Sequence, residues 1–197
     1  MKRFTGVRGT LILLVLVVSM VGYYYYLSNK VSKKTETDDM LTKVQSVLLR
    51  DLELNYPSTP REVVRYFGDI TLCLFGGSCE ESDIDKLAAK AIQLYDDELV
   101  ENNPWAEYLM RLQQEVAEYQ KKGMTVTSYA PAGSTSVDTF EQDGYEWARF
   151  YCTFYTKTGK ESQVVNQIFL LRKDENRRWK IYGWDLAENV DTSKSAE

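Results

Sequence analysis

The sequence predicts an α+β fold: an N-terminal transmembrane helix, then three to four helices packed on a curved antiparallel sheet of three to five strands. Three observations carry this reading. Gly9 to Leu27 holds no charged residue. Apolar residues then recur at helical spacing from Leu41 to Tyr119. From Met124 onward the rhythm changes to strand-like stretches, clearest in the alternation of Tyr145 to Tyr155, broken by short polar turns, the order expected of helices segregated on an antiparallel sheet.

The apolar run comes first. Nineteen residues, 9–27, at ~1.5 Å per residue make a helix of roughly 28 Å, close to the ~30 Å hydrocarbon core of a bilayer. A cleaved signal needs small residues at positions −3 and −1. The nearest match, Val17-Val18-Ser19, sits inside the run and leaves too short an apolar core before it. Tyr23, Tyr24, Tyr25 and Tyr26 follow, and tyrosine favours the lipid–water boundary. The run therefore reads as an uncut anchor with a tyrosine belt at its outer end, and its partner is the bilayer. Lys2, Arg3 and Arg8 precede it and Lys30, Lys33 and Lys34 follow, so the positive-inside rule is nearly balanced. The very short N-terminal arm favours N-inside and C-outside, in the cell membrane. The expected organisation is a cytoplasmic arm at 1–8, the anchor at 9–27, a linker at 28–37, one globular domain at 38–188 and a disordered tail at 189–197.

Composition narrows the function. Six of the 24 Lys+Arg lie at or before Lys34, and all 29 Asp+Glu lie beyond it, so the body carries 18 positive against 29 negative residues, a net charge near −11. Nucleic-acid binding needs clustered positive charge, and none is expected here. The chain has no histidine. That excludes Ser-His-Asp and Cys-His nucleophile systems, histidine-ligated metal sites and histidine proton shuttles. No catalytic residue, metal or cofactor is expected.

The elements follow in order. Leu41, Val44, Val47, Leu48 and Leu52 mark a first helix ended by Tyr56-Pro57. Thr59 caps a second, with Pro60 at its first position and Glu62 completing a capping box; Gly76-Gly77 stops it. Ser82 is expected to cap a third, whose stripe runs Ile84, Leu87, Ala88, Ala91, Tyr95 and Leu99. Asn103-Pro104 opens a fourth bearing Trp105, Tyr108, Leu109, Leu112, Val116 and Tyr119, and Gly123 ends it. "MTVTSYA" and "STSVDTFEQ" alternate weakly. "YEWARFYCTFY" is a strong strand with Ala148, Phe150, Cys152 and Phe154 on one face and Trp147, Arg149, Tyr151, Thr153 and Tyr155 on the other. "QVVNQIFLLRK" and "WKIYGWDL" complete an antiparallel meander.

Of the three cysteines, Cys152 reads as a small core residue. Cys73 and Cys79 flank "LFGGS". A reversal at Gly76-Gly77 would bring their sulfurs within bonding range, and an extracytoplasmic location permits a disulfide; the alternative is two thiols, one of them packed.

The segment "VVNQIFLLRKDENRRWKIYGWDL" joins a long apolar strand, a charged hairpin and a last strand of W-K-I-x-G-W type. It resembles the end of nuclear transport factor 2-like domains, the cone-shaped cystatin-like superfamily, and the likeness covers roughly Asp38 to Glu188. The layout also resembles single-pass proteins of an uncharacterised family of Gram-positive bacteria. The resemblance implies the cone-like fold and leaves function open, since the superfamily holds isomerases, dehydratases, ligand binders and assembly domains. Its isomerases use an Asp base with Tyr and a protonated carboxyl as donors, a role for which Asp185 with Tyr151 or Tyr155 stand as candidates, against the reading of Asp185 as an ordinary strand-end residue.

Two functions follow. The first is a non-enzymatic interaction or assembly module of the cell envelope, pairing with itself or an envelope protein through Trp147, Arg149, Tyr151 and Tyr155, residue types that dominate binding hot spots. The second is a small-ligand-binding or isomerase-like pocket in the mouth of the cone, with tyrosine-rich walls and a ligand that the sequence does not name.

Overall fold

The computed structural model describes residues 43–187 together with Val21 and Tyr23, which are helical and exposed. Two compact units divide the chain, Met1–Leu41 and Thr42–Glu197. The expected arm, anchor, linker, tail and tyrosines 24–26 lie outside the described residues. No helix among the described residues is long and apolar enough to cross a membrane.

The second unit is α+β, with five helices and one antiparallel sheet of five strands. Helical residues 43–49 (α1) lead into a turn; α2 runs Pro60–Phe75, α3 Glu81–Ile92, α4 Asp97–Glu101 and α5 Trp105–Lys122. The strands are β1 (Met124–Pro131), β2 (Asp138–Gln142), β3 (Tyr145–Thr158), β4 (Glu161–Lys173) and β5 (Trp179–Leu186). β3 is the spine. Its far side pairs along its whole length with β4, while β1 takes its C-terminal half and β2 its N-terminal half on the near side. A two-residue turn, Gly159-Lys160, joins β3 to β4, with Gly159 at φ +60°.

Local chemistry explains most of the boundaries. Thr59 Oγ1 accepts the Glu62 N–H and Pro60 sits at the start of α2, as expected. The reciprocal arm of the capping box is displaced by one residue: Glu62 accepts from the N–H and hydroxyl of Ser58 instead of Thr59. Gly123 closes α5 in the left-handed conformation at φ +61°. Two boundaries differ from expectation. α3 begins after Glu80 with no side-chain cap, so Ser82 lies inside the helix. The apolar stripe through Tyr95 and Leu99 is not one helix. The chain leaves α3 after Ile92 because Leu94 and Asp96 bond to the sheet: the Ile181 N–H donates to the Leu94 carbonyl and the Asp96 N–H to the Ile181 carbonyl, both at 2.8 Å. Asp96 then caps α4 by accepting the Glu98 N–H.

The core lies between α2, α3 and one face of the sheet. Val63, Val64 and Ile70 from α2 and Leu87 from α3 pack against Phe150, Phe169, Leu171 and Ile181, all essentially without solvent contact. Burying each such side chain contributes ~1.5–3 kcal/mol. Gly68 lets α2 approach the sheet: a Cβ there would lie 2.6 Å from the Tyr129 ring, whose hydroxyl donates to Asp69 at 2.7 Å.

The other end of the sheet is tied to the helices by charge. Arg172 on β4 donates through Nε to Asp96 Oδ2 at 2.9 Å and through Nη2 to Oδ1, while Nη1 meets Glu98 at 2.7 Å. Asp96 is 3% exposed. The guanidinium also lies 4.7 Å from the Tyr145 ring, 5.0 Å from Tyr182 and 5.5 Å from Trp147. Burial opposes its charge, and the hydrogen bonds to Asp96 and Glu98 outweigh burial, so its pKa lies above the ordinary value. Removing one partner of a buried pair leaves an uncompensated charge and costs ~3–5 kcal/mol. Arg172→Leu is therefore expected to lower unfolding free energy by about that amount in urea titrations, and Asp96→Asn in the same background to recover part of it. A single Arg172→Leu variant as stable as the parent would contradict this account.

Candidate functional site

A cleft opens between α5 and the helix-facing side of the sheet. α5 supplies one wall through Tyr108, Leu112, Glu115 and Tyr119, which at spacings of four, three and four form one helical stripe. Only Leu112 and Val116 of its eighteen residues are buried. α2 contributes Phe67 and Phe75, and Tyr95 comes from the short stretch that bridges to β5. The sheet contributes Phe154, Thr156, Val165, Gln167 and Trp184. The cleft has an inner compartment of ≈ 200 Å³ and an outer one of ≈ 370 Å³, which share Tyr95, Tyr108, Leu112, Glu115 and Trp184.

Trp184 reaches this cleft through a bulge. Along β5, Trp179 and Ile181 face the helices and are buried. Regular alternation would next turn Gly183 and Asp185 inward. Instead Leu171 pairs with Ile181 and Leu170 with Gly183, so Tyr182 is an extra residue. A bulge of this kind re-aims the side chains beyond it. Trp184 becomes the register partner of Phe169 and packs against Phe67 at 5.4 Å and Tyr95 at 5.7 Å between ring centroids. It remains 41% exposed, an unusual degree for a tryptophan inside a concavity.

The same bulge turns Asp185 away. Asp185 pairs with Ile168 and Ile168 with Tyr151, so Asp185 and Tyr151 lie in one row on the outer face of the sheet. The cleft is on the opposite face, and the two residues proposed from sequence as its acid–base pair do not line it. Asp185 is exposed and accepts the Leu186 N–H.

The expected interface residues are also divided. Trp147 is 8% exposed. Its indole N–H donates to the Gln142 carbonyl at 3.0 Å, its ring stacks with Phe140, and Tyr182 meets it edge-on at 5.0 Å. It is a packing residue of the outer face, because β2 and the Arg172 cluster cover it. Arg149 is exposed and meets Asp138 at 3.4 Å. Tyr151 is half-buried and Tyr155 is 40% exposed. Cys73 and Cys79 are separate buried thiols in this structure. Burial pushes their pKa values up to about 12 and about 11, so both stay protonated and weakly nucleophilic at neutral pH.

The cleft's electrostatics centre on Glu115. Glu115 is exposed at the rim of the cleft wall; partial desolvation there and then the charge of Glu118 raise its carboxyl pKa. Burial likewise raises the Tyr95, Tyr108 and Tyr119 hydroxyls, which remain neutral; Tyr95 and Tyr108 oxygens lie 3.4 Å apart. Arg111 borders the outer compartment and donates to Asn103 at 2.6 Å. Among the described residues, no group of three or more His, Cys, Asp or Glu could hold a metal ion. The lining of the two compartments offers aromatic surface, neutral hydroxyls, the amides of Asn103 and Gln167, the Glu115 carboxyl and the Arg111 guanidinium.

This is an α+β domain with an aromatic cleft under its longest helix. The chain belongs to the family described as Domain of unknown function (DUF6715), whose model matches residues 1–184. No curated protein matches it.

Sequence reasoning had placed Tyr108, Leu112 and Tyr119 on one helical stripe and missed Glu115 and Trp184. A carboxylate on a mostly polar helix gives no signal of its own, and the bulge that redirects Trp184 leaves none in the alternation. The Glu115 shift has a stability consequence. An acid whose pKa is higher folded than unfolded binds its proton more tightly when folded; its ionisation costs stability as pH rises through the folded value, and the cost vanishes below the unfolded one. Glu115→Gln is thus expected to raise Tm slightly at neutral pH, on the order of 1–2 °C. The difference from the parent should disappear as pH falls below the ordinary carboxyl value of 4.5. Thermal melts across that range check it, and an offset independent of pH would refute it.

Proposed function

We propose that this protein is a single-pass membrane-anchored domain of nuclear transport factor 2-like type, held outside the cell membrane by residues 9–27, that binds a small, largely apolar molecule without transforming it. The observation that carries the reading is Trp184, 41% exposed yet seated in the cleft against Phe67 and Tyr95. Burying a tryptophan of that exposure against a ligand supplies a large apolar contact, and small-molecule sites are concave, aromatic-lined and sparingly polar. The charge-free run at the N-terminus and the tyrosines after it support the tether. The family match runs through both that stretch and the globular unit. The helical first half and the β4–β5 hairpin support the superfamily assignment.

A protein-interaction module of the cell envelope is the second reading. Its observation is the outer face of the sheet, where Tyr155 (40% exposed) and Val164 (59% exposed) are register partners. With Trp147 buried, that surface is reduced to Tyr155, Val164 and the half-buried Tyr151 and Ile168.

For the binding reading, a screen of small aromatic and aliphatic compounds against the full chain should give ligands that raise Tm, and Trp184→Ala should abolish the rise while Tyr155→Ala preserves it. A screen without any stabilising compound class would count against the cleft. For the tether, protease added to intact cells should remove a C-terminal tag. A tag that survives in intact cells and is lost only after lysis would place the domain inside.

A further inference from the structure

The inner compartment has an uneven chemistry. Seventeen residues line it, and Glu115 is the single one among them with a formal charge. Around that carboxylate stand the rings of Tyr95, Tyr108, Tyr119 and Trp184. The ring faces of tyrosine and tryptophan carry negative potential, which attracts a cation and repels an anion. None of the other sixteen lining residues supplies a countercharge. Glu118, the charged neighbour that acts on it, is itself acidic and is already paired with Lys122 at 3.0 Å. Arg111 lines the outer compartment, which Glu115 also borders, and its guanidinium is hydrogen-bonded to Asn103. Glu115 keeps contact with solvent at the cleft wall, where an entering cation can reach its carboxylate.

From this geometry we infer that the cleft is selective for a small organic cation, an amine or quaternary ammonium with an apolar body, whose charge sits between Glu115 and the Trp184–Tyr95–Tyr108 rings. The inference rests on the binding reading given above and names its ligand class. The cation's attraction to the rings is worth ~0.5–2 kcal/mol, more as the site is dried, and an ion pair with the solvent-accessible Glu115 adds to it. The polar groups beside it, Gln167, Thr71 and Thr156, offer amide and hydroxyl contacts to the rest of the molecule. At ≈ 200 Å³ the inner compartment is smaller than the ~300–1,000 Å³ of sites for drug-sized ligands, which suits one headgroup with its tail directed to the outer compartment along Leu99 and Leu112.

The test compares three probes of one shape and different charge: benzyltrimethylammonium, benzyl alcohol and benzoate. Each is titrated into the full chain in nanodiscs of zwitterionic lipid, with binding read by calorimetry and by tryptophan fluorescence. The cation is expected to bind at least ~10-fold tighter than the alcohol, and benzoate more weakly than either. Glu115→Gln should bring the cation down to the affinity of the alcohol, and a circular-dichroism spectrum and melt like the parent's show that the variant is folded. Trp184→Ala should weaken both. Equal binding of the cation and the alcohol, or full cation affinity in Glu115→Gln, overturns the charge selectivity and leaves the cleft a site for neutral ligands. Absence of binding by all three to the folded parent overturns the selectivity and the binding reading together.

Discussion

The fold turns on the pair between Arg172 and Asp96. Asp96 sits at a junction of three elements: its N–H extends the sheet beyond β5, its carboxylate caps α4, and the same carboxylate receives the fork of Arg172. A buried charge pair is a poor source of net stability, since each ion gives up water to form it. Its value here is positional. The pair allows a single register between the strand-like turn at 94–96 and β4, because any slip leaves a carboxylate buried without a partner. Tyr145, Trp147 and Tyr182 surround the guanidinium, so the outer face of the sheet is organised around it as well. The geometry that exposes Trp184 in the cleft and the geometry that buries Trp147 on the other side meet at this one arginine.

How much of this was legible in the sequence depends on the range of the interaction. Helices whose limits are set by neighbours in the chain were readable: Thr59, Pro60 and Glu62 at the start of α2, Gly123 at the end of α5. So was β3, because Ala148, Phe150, Cys152 and Phe154 alternate without interruption, and the two-residue turn that follows. What failed was set by distant partners. The break at 94–96 depends on Ile181, and an apolar stripe through Leu87, Ala91, Tyr95 and Leu99 reads as continuous helix until that strand is in place. Trp147 looked free for partners because alternation assigns it to the outer face, correctly, and says nothing about Phe140 of the paired β2, Tyr182 and Arg172 closing around its ring.

The cleft divides in the same way. Tyr108, Leu112 and Tyr119 follow from helical period alone. Asp185 and Trp184 exchange sides because of one extra residue, Tyr182, in β5. A one-residue shift inverts every face beyond it, so the functional reading of the last strand hinged on a feature with no signature in composition. Gly183 beside the bulge has open space where a side chain would begin, consistent with its place at the rim.

The sparse anchoring of α5 also bears on how anything enters the cleft. β3, β4 and β5 are joined by short hairpins and their pairing is local along the chain, whereas α5 holds its place with two buried side chains, Leu112 and Val116, against ten buried residues in the shorter α2. Free energies of local opening follow the amount of buried apolar contact an element would lose. The wall bearing Tyr108, Glu115 and Tyr119 therefore detaches at less expense than α2, which forms the opposite side of the cleft. For the ligand proposed above, access and retention would then follow one equilibrium: the fraction of time α5 stands away sets how quickly it is admitted, and a molecule that bridges α5 to Trp184 lengthens its own stay by holding that helix down.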